Sequence, residues 1–339
     1  MPKAGVIGTG LVGGSIAGGL TDAGWRTIGY DPDPEAIGVA RDRGLVSAAA
    51  SSVAGVIAEA PDVVVVAAPP KATIEILAHM DTPLVVMDVS GVKGEILAAA
   101  KHLPNFVGTH PMAGRETSGP KAASVALFRG AMWVVVEDGP PGATAWAVKV
   151  VETLGANAVF MSAEAHDQAV AAISHLPQLL AAGLLASAAD TPEAIDLAAG
   201  SFRDLTRVAA SLPLPWVEIL KTNSAAVLGA LEALRAQLSA VEMAITSDDD
   251  DLLTYLSKSR DMRQSLGSPE VAVRVMLADE PGEIARVGHA LEECRVDVRD
   301  IQMRHAPHGG GGILTLAVRA GEEQTLRHAL TAAGLLTVS

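Results

Sequence analysis

Three short stretches of this 339-residue chain carry side chains whose types and spacing can do chemistry. The first is G-T-H-P-M-A-G-R-E-T-S-G, residues 108–119, which follows a run with strand character. Its His110 sits where a strand ends, and neutral imidazole is the natural general base near pH 7. An activity resting on it would fail at acid pH near the unperturbed imidazole value of ~6.5. Arg115 and Glu116 follow within reach of the same cleft. The plainer alternative for His110 is a capped structural histidine. The second stretch is Ser174-His175-Leu176-Pro177-Gln178, joined later by Phe202-Arg203-Asp204-Leu205-Thr206-Arg207. Polar groups inside Ala/Leu-rich helix must be satisfied or useful. Arg203 and Arg207 fall four apart on one helical face, so either could meet a carboxylate bidentately, or pair with a helix neighbour. Trp216, after Pro213 and Pro215, reads as a packing anchor at the pocket edge. His166 and Asp167 read as a helix cap rather than a site.

The third stretch opens the chain. Gly8, Gly10 and Gly13 stand at G-x-G-x-x-G spacing after a short apolar run. The first glycine makes the tight turn, the second admits a pyrophosphate, and the third lets the next helix pack on the sheet. That helix begins near Leu11 and Val12, so its unpaired N–H groups face the phosphates. A second strand, residues 26–30, ends at Asp31, and 31 − 13 = 18 residues separate that acid from Gly13. The expected interval is about 20. A carboxylate there accepts from ribose hydroxyls and repels a 2′-phosphate, which favours NAD over NADP. Pro32 follows it; Arg41 and Arg43 are the nearby cations that would oppose that preference.

These residues need a sheet to hold them. Strand-like runs at 3–8, 26–30, 45–48, 63–68, 84–89, 105–109 and 132–137 alternate with helical patterns. Val63-Val64-Val65-Val66, closed by Pro69-Pro70, reads as a strand buried on both faces. The predicted architecture is a doubly wound Rossmann-type α/β domain over residues 1–161. Ligands sit beyond the carboxyl ends of such strands, which adds Ala68 and Pro69 to the cofactor site. From 162 to 266 the strand signal stops, and an all-helical substrate and dimerisation domain is expected, with helices at 202–210 and 216–243 among others. Gly267-Ser268-Pro269 reads as a linker. Residues 267–339 then follow a β-α-β-β-α-β order, a small ferredoxin-like α+β module.

Composition narrows the partners. Hydrophobic residues make up 49% of the chain but aromatic ones only 3%, so its cores are aliphatic. A net charge of −14 without a basic run argues against nucleic acid and anionic membranes. The single Cys294 fits a reducing cytoplasm, and no signal-peptide pattern opens the chain. The apolar window 169–189 holds Ser174, His175, Pro177 and Gln178 and reads as a buried helix rather than a membrane span. No metal-ligand pattern is evident; the acidic run 248–251 reads as a helix start.

G-T-G-L-V-G-G-S, D-V-S-G-V-K-G, G-T-H-P-M-A-G-R-E-T-S-G, S-H-L-P and F-R-D-L-T-R-V-A, in this order, resemble the prephenate/arogenate dehydrogenase family of tyrosine biosynthesis. The resemblance spans about residues 3–265. The tail, with its Pro281-Gly282 turn, resembles an ACT-type regulatory domain, for which tyrosine is the obvious effector. The family implies NAD(P)-dependent oxidative decarboxylation of a cyclohexadiene in a homodimer. It puts the catalytic base at His110, a carboxylate-binding cation at Arg207 and the loop glutamate at Glu116; His175, Arg115, Gln178 and Trp216 are the further candidate substrate contacts. Two departures stand out. Relatives often read D-x-G-S-V-K, with a serine that bonds the catalytic histidine; here Ser90 precedes Gly91, one place early. Many read S-H-L-P-H, and here the second histidine is Gln178, neutral at every pH. That position bears on prephenate against arogenate, and leaves a dual-specificity cyclohexadienyl dehydrogenase as a further form of the same reading. A non-catalytic dinucleotide-binding regulator is the alternative from another class. A β-hydroxyacid dehydrogenase would need a catalytic helix lysine; Lys221 and Lys258 are the lysines of the helical region, neither in a matching motif.

Overall fold

The computed structural model describes residues 1–114, 117–265, 270–278, 280–305 and 311–338. Strands β1 (Lys3–Ile7), β2 (Arg26–Tyr30), β3 (Ala48–Ala49), β4 (Val63–Val66), β5 (Val85–Asp88) and β6 (Phe106–Val107) form one sheet in the order β3-β2-β1-β4-β5-β6. Every pairing in it is parallel, with helices at the crossovers. This is the doubly wound Rossmann order, with its switch point between β1 and β4. The four valines of β4 show why a parallel strand reads as an unbroken apolar run. All are fully buried; Val63 and Val65 join the core on one face, Val64 and Val66 the core on the other.

After β6 the chain leaves this sheet. Strands β7 (Thr109–Pro111), β8 (Met132–Val136) and β9 (Asn157–Met161) make a separate three-stranded sheet, β7 antiparallel and β9 parallel to β8. The sequence reading placed 132–137 in the main sheet and missed β9. Asn157–Met161 is half exposed and lacks alternation, so neither periodicity nor burial marks it.

The helical stretch begins with Ala163–Val170, a π-helical turn Ala171–His175, and Leu176–Ala189. By length and composition residues 163–189 are apolar enough to cross a membrane, yet 22% of the apolar window is buried. The expected buried helix is therefore corrected: in Leu176–Ala189 only Ala181 is buried, and Leu180, Leu184 and Leu185 face outward. Two expected helices are each divided. Residues 202–210 become Gly200–Thr206 plus the 3-10 turn Arg207–Ala210. Residues 216–243 become Pro213–Thr222 and Ser224–Thr246, interrupted at buried Asn223 (φ −105°, ψ 29°).

Contacts divide the chain into two compact units, Met1–Ala236 and Gln237–Ser339. In the second, the helix Asp249–Ser265 opens with the acidic run, and the Asp248 carboxylate accepts from the Asp251 N–H. Strands β10 (Glu270–Leu277), β11 (Val298–His305), β12 (Gly312–Arg319) and β13 (Leu336–Val338) pair antiparallel in the order β11-β12-β10-β13. With helices Glu283–Cys294 and Glu323–Ala332 they give the expected β-α-β-β-α-β module around Val273, Val275, Leu316 and Leu326. The linker Gly267-Ser268-Pro269 lies outside the described residues.

Candidate active site

The glycine fingerprint is built as its spacing predicts. Gly8 has φ +92°, and a Cβ there would collide with the Ala67 carbonyl oxygen at the end of β4. A Cβ on Gly13 would collide with the Gly8 carbonyl oxygen, so the helix Leu11–Asp22 lies directly on the turn. Gly10 faces open space. That combination, a cradle a side chain would fill at the N-terminus of a helix, fits a dinucleotide pyrophosphate on the N–H groups around Leu11 and Val12. Ala68 and Pro69 border the same turn, partly exposed, with the Ala68 carbonyl accepting from Thr73 Oγ1 at 2.9 Å. Asp31 is bonded to the turn itself. Its Oδ2 accepts from Thr9 N–H at 2.7 Å and Thr9 Oγ1 at 3.2 Å, and Oδ1 from Asp33 N–H at 3.0 Å. The carboxylate thus also pins the glycine turn. The Arg43 guanidinium is bonded to the carbonyls of Pro120, Lys121 and Ala123, and Arg41 lies beside Asp42.

His110 lies in β7, opposite Val134. Its neighbours fix it from below. Trp133 Nε1 donates to Thr109 Oγ1 at 3.0 Å, and Thr109 Oγ1 donates to the Asp88 carbonyl at 2.5 Å. The Asp88 carboxylate accepts from the Ser90 and Thr109 N–H groups and pairs with Lys93 Nζ; both charged side chains are fully buried. Burial pushes the Lys93 ammonium below its ordinary value, opposed by Asp88.

Lys93 also connects the sheet to the helical part. The backbone N–H groups of Lys93 and Gly94 donate to Asp167 Oδ1 and Oδ2, each at 2.8 Å. Asp167 Oδ1 lies 2.8 Å from His166 Nδ1, and His166 Nε2 lies 2.9 Å from His110 Nδ1. Burial would raise the Asp167 carboxyl, but bonds from His166, Gly94 and Lys93 hold it below its usual range. For His110, burial first, then His166, Lys93 and His175, push the imidazole well below the ordinary histidine value. The acid limit near ~6.5 expected from sequence is therefore shifted down.

A cleft of ≈ 270 Å³ opens on His110, lined among others by Gly91, Met112, Ser174, His175 and Trp216. His175 ends the π turn, edge-on to Trp216 with ring centroids 6.3 Å apart. Its Nδ1 lies 3.3 Å from Asn223 Nδ2, which also donates to the Asp167 carbonyl at 2.9 Å. Burial lowers the His175 imidazole below its usual value, opposed by Asp167.

Other predicted residues sit elsewhere. Ser90 is not on His110: its Oγ donates to Thr73 Oγ1 at 3.4 Å, and a Cβ on Gly91 would lie 3.5 Å from His110 Nε2. The order Ser-Gly puts the hydroxyl on the far side of the backbone and leaves a glycine against the ring. Gln178 follows Ser174 by four residues, and its buried Oε1 has no hydrogen-bond partner. Arg207 is exposed at the start of its 3-10 turn and is not among the residues lining the His110 cleft; Arg203 donates to the Ala198 carbonyl at 3.2 Å. Arg115 and Glu116 lie outside the described residues. Asp88 and Lys93 bound a strand end where ligands are expected but carry no predicted role, nor does Asn223, and His166-Asp167, expected as a helix cap, instead joins the site. The available signals were a lysine ending a strand-loop motif and the polar Thr222-Asn223-Ser224 inside an Ala/Leu pattern.

A Rossmann sheet, an open phosphate cradle and a half-buried histidine in an adjoining cleft define a dinucleotide-binding oxidoreductase scaffold. Residues 16–160 match the family model "Prephenate dehydrogenase, nucleotide-binding domain", and residues 162–258 match "Prephenate dehydrogenase, dimerization domain". A prephenate dehydrogenase of Bacillus subtilis is 30% identical, covering 94% of this chain and 92% of that protein. The crystal structure of prephenate dehydrogenase from A. aeolicus, in complex with hydroxyphenyl propionate and NAD+, superposes with a TM-score of 0.72 at 29% identity. It covers 79% of this chain and 99% of its own. Synechocystis arogenate dehydrogenase gives 0.70 at 29% identity, covering 78% and 100%. The chain belongs to the prephenate dehydrogenase family.

Proposed function

We propose that this protein catalyses the NAD-dependent oxidative decarboxylation of prephenate to 4-hydroxyphenylpyruvate. The observation that carries the reading is His110: held at Nδ1, kept neutral by burial, with Nε2 turned to the cleft beside Gly91. Bound NAD supplies the hydride acceptor. His110 Nε2 takes the proton of the ring hydroxyl as hydride leaves the same carbon. The ring carboxylate then departs as CO₂, its bonding electrons aromatise the ring, and the imidazolium can return its proton to the phenolate oxygen. His175 and Trp216 line the substrate's side of the cleft. The family resemblance assigns a substrate carboxylate to Arg207, although that residue lies outside the lining of the His110 cleft, and further substrate contacts to Arg115 and Glu116. Asp31 turns the cofactor preference toward NAD, supported by Arg43, whose guanidinium is occupied by carbonyls. Residues 1–161, 162–266 and 267–339 act as cofactor, substrate and regulatory domains.

Arogenate is the second reading, because the buried Gln178 Oε1 lacks a donor and arogenate's side chain carries an ammonium where prephenate has a ketone. The test is NADH formation with prephenate and arogenate side by side, with His110→Asn as control. Turnover of neither would leave the regulator reading.

The outward leucines of Leu176–Ala189, inside the region matched as a dimerization domain, support a homodimer, and the single Cys294 fits a cytoplasmic location. The C-terminal module's strand order and Pro281-Gly282 turn support an ACT-type domain that binds tyrosine.

A further inference from the structure

The cleft holds two histidines, and the groups behind them differ. We propose that Asp167 sets these histidines in opposite proton states, with a bare Nε2 on His110 and an N–H at Nε2 on His175. For rings that carry one N–H each, hydrogen-bond direction alone fixes both tautomers. Backbone N–H groups can only donate, so both Asp167 oxygens accept, Oδ1 from Lys93 and Oδ2 from Gly94. The carboxylate then takes a proton donor from His166, which places that ring's hydrogen on Nδ1. A neutral imidazole carries one N–H, so His166 Nε2 is a lone pair. It accepts from His110 Nδ1, and His110 is left with its lone pair at Nε2, beside Gly91.

The second chain starts from the same residue's main chain. The Asp167 carbonyl can only accept, which fixes the Asn223 amide with its nitrogen toward it. That nitrogen's other hydrogen points to His175 Nδ1, which must therefore be the lone pair. His175 carries its hydrogen at Nε2. One aspartate thus presents the cleft with a proton acceptor and, across from it, a donor for a substrate oxygen. His166, Asp167 and Asn223 are positioning residues; none of them lines the His110 cleft. This rests on the reading of His110 as the base.

The test reads tautomers in the free protein, by two-bond ¹H–¹⁵N correlation of ¹⁵N-histidine-labelled chain near pH 8, assigned with His110→Asn and His175→Asn. The expected pattern is pyrrole-type Nδ1 and pyridine-type Nε2 for His110, and the reverse for His175. Asn223→Ala should release His175 alone, and Asp167→Asn should disturb His110. In Asp167→Asn, kcat should fall by roughly 10²-fold or more while substrate KM moves within roughly threefold. The same tautomer on both rings, or His110 protonated at Nε2, overturns the proposal. So does an Asp167→Asn protein with an unchanged His110 pattern. The wild-type spectra decide the matter where that variant does not fold. No substrate is present, so the tautomers can stand while prephenate turnover fails, and the two failures remain distinguishable.

Discussion

At the scale of single residues, the proposed reaction turns on a histidine, His110, that must be neutral to act as its base. Because burial and its neighbours push His110 downward, it stays neutral at lower pH than a free imidazole. The acid limb of kcat/KM should accordingly lie below pH ~6.5. His110→Asn cannot accept the proton; kcat should drop by roughly 10²–10⁴, with substrate KM much less affected. Near-normal kcat in that variant would make the residue structural. Asp31 carries a double duty that changes its expected phenotype. Asp31→Ser should narrow the preference for NAD over NADP, but it also releases the Thr9 N–H, so NAD affinity itself should weaken. Titration with both dinucleotides separates the effects, and a wild type that uses NADP as well as NAD would sink the assignment. His110 was legible from its motif alone, for the strand end expected there is instead the middle of β7, in a second sheet. The groups behind it were not, since the contacts Lys93–Asp167, His110–His166 and Asn223–His175 join residues 74, 56 and 48 apart in sequence.

At the scale of elements, the segment from β5 to the next helix holds the base in place. Its Asp88–Lys93 pair is fully buried, and removing one member leaves an uncompensated charge. Lys93→Met should therefore destabilise the fold by about 3–5 kcal/mol. Replacing Asp88 as well, in Asp88→Asn/Lys93→Met, should recover part of that loss, both read from urea midpoints. A single variant within experimental error of wild type would show that the charge is relieved by water. The parallel strands announced themselves, because a run such as Val63–Val66 has no reading other than a doubly covered strand. The helices were legible in extent but not in where they divide. The π turn ending at His175 and the interruption at Asn223 are imposed by what those side chains must reach. Ala/Leu periodicity carries no trace of such demands.

At the scale of the whole molecule, acid should weaken the fold as well as the reaction. The folded values of His110 and His175 lie below the unfolded one, so between them the unfolded chain binds more protons. Their contribution is complete above pH ~6.5 and is lost as pH falls from there toward the folded values. Urea midpoints at pH 7.5 and 5.5 should differ in that direction; equal midpoints would contradict the burial of neutral rings. The C-terminal module owns a core of its own. A chain ended after Ser265 should keep prephenate turnover and lose tyrosine inhibition. Inhibition that survives would put tyrosine in the active site as a competitor. The outward leucines have a further consequence. Leu180, Leu184 and Leu185 sit on the helix that directly continues the turn bearing His175. If a second subunit covers them, mass action reaches the chemistry: specific activity should fall on dilution along the same curve that follows dissociation. The working unit of this enzyme would then be a concentration rather than a chain.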